Sequence, residues 1–163
     1  MSIHEWINEY GIYHKNKTNK LIHWFCVPAI MFSLFGLLDL FQFNKALDLS
    51  FLNLNIIANI SILNILILLS IIFYIRLSLT LSLGMIIFSI LLVSLIDYFD
   101  KFQIIINYKL FIYLSIFTAA WIGQFIGHKI EGKKPAFFKD LQFLLIGPIW
   151  LLSFIYKKCG VRI

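Results

Sequence analysis

Apolar residues run along this chain in long unbroken stretches, and most polar residues fall between the stretches rather than within them. Such runs lack the one-sided stripe of a soluble amphipathic helix, and each is close to the ~20 residues that cross a bilayer's hydrocarbon. Four spans are predicted: Leu21–Phe41, Leu54–Ile75, Leu77–Asp97 and Lys109–Gly127. Pro28 lies inside the first. It lacks a backbone donor and crowds the carbonyl of Trp24, so a kink or break is expected there. The second and third spans are joined by little more than Arg76, which predicts a tight antiparallel hairpin. The stretch Phe41–Asn53 reads as a loop.

Both ends of the chain depart from this pattern. Between Ser2 and Tyr13 apolar and polar residues alternate at helical spacing, with Ile3, Trp6, Ile7 and Tyr10 on one face. That predicts a short amphipathic helix lying at the membrane interface. Lys15–Asn19 reads as a turn, with Thr18 or Asn19 as the cap of the next helix. The last apolar stretch, Leu141–Tyr156, is shorter and holds Gly147-Pro148. If Pro135 started a spanning helix, Lys139 and Asp140 would sit in its first turns. A re-entrant or interfacial helix is therefore expected. The predicted fold is all-α: one integral membrane domain over 1–163, with four transmembrane helices flanked by these two shorter elements.

Composition removes the soluble alternative. The chain has 163 residues, of which 61% are hydrophobic and 13% charged, against about 25% charged in ordinary soluble domains. The net charge of +6 comes without a basic, aromatic-interleaved stripe, so nucleic acid is not an expected partner. The charges read instead as topology signals. With the N-terminus cytoplasmic, Lys15, Lys17, Lys20, Arg76, Lys129, Lys133, Lys134 and Lys139 fall inside, and only Lys45, Lys101 and Lys109 outside. Cytoplasmic loops are the Lys/Arg-rich ones, so both termini are expected in the cytoplasm of a bacterial inner membrane or an endoplasmic reticulum membrane. The first 20 residues are polar and carry no cleavable signal pattern. Cys26 and Cys159 lack CxxC spacing, which argues against a disulfide framework or a thiolate metal site.

An even number of spans has a chemical consequence. His14 and His23 precede the bulk of the first span and His128 follows the fourth, so all three come to one membrane face. Three neutral imidazoles suit Zn(II), or Fe(II) with open positions, and the uncompensated charge suits an anionic chelating ligand. His4 lies near a terminus and is left aside. Tyr10 sits four residues before His14, and Gln124 one turn before His128. Metal-bound imidazoles need an acceptor for their second N–H, for which Gln124, Asn16, Asn19 and Glu131 are candidates. Gly123-xxx-Gly127 offers close helix packing. Asp97 and Asp100 read as loop residues on the far side. Lys133 and Lys134 suit anionic headgroups, or a carboxylate drawn toward the metal. Spacing alone leaves open a metal-dependent oxygenase, a zinc-dependent lipid hydrolase, a b-type haem protein, and a non-enzymatic lipid-binding or assembly factor.

Two blocks carry a resemblance. Glu9-Tyr10, His14, Asn16, Asn19, Ile22-His23 and Val27-Pro28 form the first. Trp121, Gln124-Phe125-Ile126-Gly127-His128, Glu131-Gly132 and Lys134-Pro135-Ala136 form the second, with Pro148 further on. In these residues the chain resembles the family of the yeast 2-hydroxy fatty acid dioxygenase, with Cys26 standing where a glycine is expected. The resemblance implies iron-dependent removal of one carbon from 2-hydroxy fatty acids, with Fe(II) held by His14, His23 and His128. An α-hydroxy carboxylate chelates through two oxygens. Beside three histidines that leaves one position for O2 and requires no 2-oxoglutarate. Tyr10, Gln124 and Glu131 are then the expected catalytic residues. Asn19, Lys133 and Lys134 are the expected substrate contacts, and the partners are a fatty acid or lipid, O2 and membrane lipids.

Overall fold

The computed structural model describes residues 2–49, 54–132 and 137–163. Helix α1, Ile3–Ile12, starts at a capping box: the Ser2 hydroxyl accepts from the Glu5 N–H (3.3 Å) and the Glu5 carboxylate from the Ser2 N–H (2.7 Å). These bonds satisfy donors that a helix start leaves without partners. Its apolar face is the predicted one, with Ile3 and Tyr10 buried and Trp6 and Ile7 packed beside them.

Helix α2, Lys17–Asp39, is capped by Asn16 rather than by Thr18 or Asn19. The chain is still extended at Asn16, whose side-chain oxygen accepts from the N–H groups of Thr18 (2.8 Å) and Asn19 (3.4 Å). Pro28 lies within α2 and does not end it, as apolar helices tolerate when neighbours pack around them.

The expected loop and the start of the expected second span form an antiparallel ribbon. Strand β1, Gln42–Leu49, pairs with β2, Leu54–Ser61, from Gln42 opposite Ser61 to Leu49 opposite Leu54. A short apolar run such as Leu54–Ile60 fits either a strand or a helix by periodicity, which is why the reading failed there. Helix α3, Ile62–Leu77, follows, capped by the Ser61 hydroxyl. One extended residue, Ser78, joins it to α4, Leu79–Phe99. The hairpin is as tight as predicted, with Arg76 inside the last turn of α3. Helix α5, Gln103–Glu131, has non-helical backbone at Tyr108 and ends at Gly132, whose φ of 73° is left-handed, the conformation that glycine supplies at helix ends. Helix α6, Phe137–Lys158, runs continuously through Pro148.

Among the described residues, α2, α4 and Ile105–Glu131 of α5 are long and apolar enough to cross a membrane, and α3 is a shorter apolar helix. Its 16 residues give about 24 Å at 1.5 Å each. It nevertheless returns the chain from one end of the bundle to the other. At the far end, the Lys109 Nζ near the start of α5 pairs with Asp39 (3.0 Å) and Asp100 (2.6 Å), at the ends of α2 and α4. Asp100, read from sequence as a plain loop residue, is thus one of two carboxylates in a shielded ion cluster. At the near end, the start of α2 meets the end of α5.

Close approach of α2 and α5 depends on small residues. A Cβ on Gly123 would fall 2.6 Å from the Cys26 sulfur, and one on Gly127 would collide with the Asn19 side-chain oxygen. The Gly-xxx-Gly pair is therefore a contact stripe. Two buried clusters fill the bundle. One lies toward the far end, around Phe35, Ile96 and Tyr113. The other joins α1, α6 and the near ends of α2, α3 and α4 through Tyr10, Val27, Tyr74, Met85 and Trp150. Helix α6 lies over this near end: the Tyr74 hydroxyl donates to the Leu145 carbonyl (3.0 Å) and the Tyr156 hydroxyl to the Thr80 carbonyl (2.8 Å). Large apolar side chains such as Leu68, Leu83, Ile87 and Phe111 point outward, as lipid contact requires and water would penalise.

Candidate metal centre

His14 follows the C-terminus of α1, His23 is in the second turn of α2, and His128 is in the last turn of α5. All three side chains are buried, His23 completely. One nitrogen from each forms a group whose members lie within 4.8 Å of one another. The ring centres of His14 and His128 are 5.3 Å apart, and those of His23 and His128 5.1 Å.

Helix geometry aims two of the rings. The last carbonyls of a helix have no intrahelical partner. The Nδ1 of His14 donates to the Tyr10 carbonyl four residues back, at 2.7 Å, which also accepts from the Tyr13 N–H at 3.2 Å. The Nδ1 of His23 faces the Asn19 carbonyl, again four residues back, at 2.9 Å. A carbonyl only accepts, so each Nδ1 carries the proton and each Nε2 presents a lone pair. These two Nε2 atoms are 2.9 Å apart. Two lone pairs at that distance repel, and a cation placed between them removes the repulsion. Burial favours the neutral ring as well: desolvation pushes the His14 pKa down to about 4, against an opposing hydrogen bond to the Tyr10 carbonyl. The donor set therefore fits a divalent metal. Ordinary metal–nitrogen bonds are about 2.0–2.1 Å, so small ring rotations would bring all three nitrogens onto one ion.

The surrounding residues hold this arrangement. The Tyr10 ring stacks on His14 at 4.1 Å and 7°. Trp150 of α6 packs against both Tyr10 and His14 at 5.1 Å. Gln124 is buried beside His23. The Glu131 carboxylate accepts from the backbone N–H groups of Lys15 (2.8 Å) and Asn16 (2.9 Å) and from the Asn19 amide (3.0 Å). This ties the α1–α2 turn, which carries His14, to the end of α5, which carries His128. The Asn19 amide also donates to the Tyr13 carbonyl at 3.2 Å.

These contacts revise the expected acceptors. The imidazole N–H groups of His14 and His23 meet backbone carbonyls, and Asn19 contributes its main chain rather than its amide. Glu131 and the Asn19 side chain face the turn instead. Tyr10, Gln124 and His128 do share a wall, lining a cavity of about 30 Å³ with Val27, Ile30, Trp121, Phe125, Leu144 and Gly147. Lys133 and Lys134 lie outside the described residues. Sequence reasoning missed Trp150 and Gly147, because an apolar helix offers no contrast by which a site-facing residue stands out. The one available signal was Gly147 itself, a small residue whose added Cβ would meet the Tyr10 hydroxyl at 3.2 Å.

An apolar helical bundle of membrane-spanning length, with a buried three-histidine cluster able to hold a metal at one end, defines the class: a membrane helical bundle with a candidate metal centre. Comparison narrows the class. Residues 1–159 match the family model of the Mpo1-like 2-hydroxy-palmitic acid dioxygenases, and the chain belongs to that family. It is similar to the 2-hydroxy-palmitic acid dioxygenase MPO1 of Saccharomyces cerevisiae, with 32% identity over 152 residues that cover 91% of this chain and 76% of the yeast protein. No solved structure matches the chain.

Proposed function

We propose that this protein is an Fe(II)-dependent dioxygenase that converts 2-hydroxy fatty acids to acids one carbon shorter, using O2 and no 2-oxoglutarate. The observation that carries the reading is the pair of Nε2 atoms 2.9 Å apart, with His128 beside them, at one end of an apolar bundle. Bound iron would supply the positions at which the α-hydroxy carboxylate chelates and O2 reacts. The chain supplies the rest. His14, His23 and His128 provide neutral donors. The Tyr10 stack and the Tyr10 and Asn19 carbonyls fix two of the ring planes, and such supporting groups are commonly worth 10–100-fold in metal affinity. Without a protein carboxylate or thiolate among the ligands, the site keeps a positive charge that favours an anionic substrate. Desolvation by α1, α5 and α6 strengthens that attraction.

The proposed topology puts both termini and the metal site on the cytoplasmic side, with Fe(II) reached from that face and the acyl tail from the bilayer. Lys133 and Lys134 are proposed to assist the carboxylate, and Gln124 to contact the substrate. The test is oxygen consumption with formation of the one-carbon-shorter acid by detergent-purified, iron-loaded protein. Stoichiometric zinc in the purified protein, with no O2 uptake after iron loading, would refute the reading. Labelling of Cys159 by an impermeant maleimide only in inside-out vesicles tests the topology.

A further inference from the structure

We infer that the cavity beside His128 is the docking slot for the hydroxy acid, and that the Trp121 indole N–H donates to an oxygen of the acid's polar head. The inference rests on the activity proposed above and adds where the substrate sits. The lining is mixed: Tyr10, Gln124 and His128 bring polar groups, while Val27, Ile30 and Leu144 are apolar. That is the lining an amphiphile requires. At about 30 Å³ the space admits two or three waters at roughly 10–15 Å³ each. This is the bulk of a carboxylate and the neighbouring hydroxyl-bearing carbon, so the head fits and the tail must leave. Phe125 lines the cavity and is also 41% exposed at the bundle surface, so the cavity wall reaches the outside of α5 there.

Trp121 points to the ligand independently. It lines the cavity, and its Nε1 is fully shielded yet has no hydrogen-bond partner. A buried indole N–H normally finds an acceptor, and it can only donate. A hydrocarbon tail offers none, whereas a carboxylate or hydroxyl oxygen does. The other buried polar atoms without partners among the described residues lie elsewhere. The Asn19 oxygen is pressed against Gly127, and the Tyr113 and Asp100 oxygens are at the far end.

The test is calorimetric titration of iron-loaded protein in detergent micelles, without O2, using 2-hydroxyhexadecanoate. Trp121→Phe keeps the ring and removes the donor, and is expected to weaken binding about tenfold at unchanged iron content. Leu144→Trp fills the slot and is expected to abolish binding, again with iron retained. Wild-type affinity in Trp121→Phe would overturn the indole contact, and wild-type affinity in Leu144→Trp would overturn the slot. A wild-type protein that neither binds the acid nor consumes O2 with it would instead overturn the proposed activity.

Discussion

Replacing Gly127 with alanine should separate the metal ligands while leaving the protein folded. The new Cβ would overlap the Asn19 side-chain oxygen and come within 3.4 Å of the His23 ring. Ordinary carbon–oxygen contacts begin near 3.3 Å, so α5 must retreat from α2 by something on the order of an ångström. Asn19 cannot yield easily, because its amide is tied to the Tyr13 carbonyl and to Glu131. Overpacking of this kind costs about 1–3 kcal/mol, and roughly 1 kcal/mol returns because alanine is the better helix former. The net loss is about 0–2 kcal/mol, which a folded domain survives. His128 is the next residue on α5, so the retreat carries it away from His23. An ångström of misplacement can cost about 100-fold in rate. Iron content by mass spectrometry, thermal unfolding in detergent and oxygen uptake should be measured together. Unchanged iron affinity and turnover in a folded Gly127→Ala protein would refute the reasoning.

Other expectations follow from single contacts. His14→Ala, His23→Ala and His128→Ala should each reduce bound metal to a small fraction of the wild-type content, measured on protein purified in parallel. Lys109→Met leaves Asp39 and Asp100 facing each other in a shielded site. It should cost about 1–3 kcal/mol, between the values for an exposed and a fully buried ion pair, because the groups are partly open to solvent. The loss appears as a lower melting temperature, with metal content unchanged. Tyr10→Phe keeps the ring stacked on His14 and should retain metal, whereas Tyr10→Ala should destabilise by about 3–5 kcal/mol and release it; melting curves and metal analysis separate the two. Glu131→Ala frees the α1–α2 turn and should weaken metal binding about 10–100-fold, read by chelator competition.

Much of this architecture was legible in the sequence because the signal was strong where it existed. Long apolar runs have few alternatives, so α2, α4 and α5 lie near their expected positions, and His128 does meet His14 and His23 as the sequence led one to expect. Where two structures satisfy one pattern, reading failed. Leu54–Ser61 runs without a break into the apolar residues of α3, yet it pairs as a strand. The irregular backbone at Tyr108 carries no proline or glycine to announce it. Main-chain acceptors were invisible in principle, since every residue has a carbonyl and only the fold decides which one faces a ring. The same holds for Glu131. Its residue type gave no sign that its carboxylate accepts from the N–H groups of Lys15 and Asn16 and so fastens the turn.

The wide separation of the ligands along the chain also sets an order of events during synthesis. His14 and His23 leave the ribosome early, yet His128 follows only after about a hundred further residues. At roughly 5–20 residues per second that delay is several seconds or more. Throughout it the nascent chain offers an incomplete set of imidazoles, and the Glu131 tie between turn and last span does not yet exist. Completion of the three-histidine group is therefore coupled to completion of α5. A chain stalled before the end of α5 lacks the third imidazole, so metal occupancy of the site would report whether the whole bundle has been built.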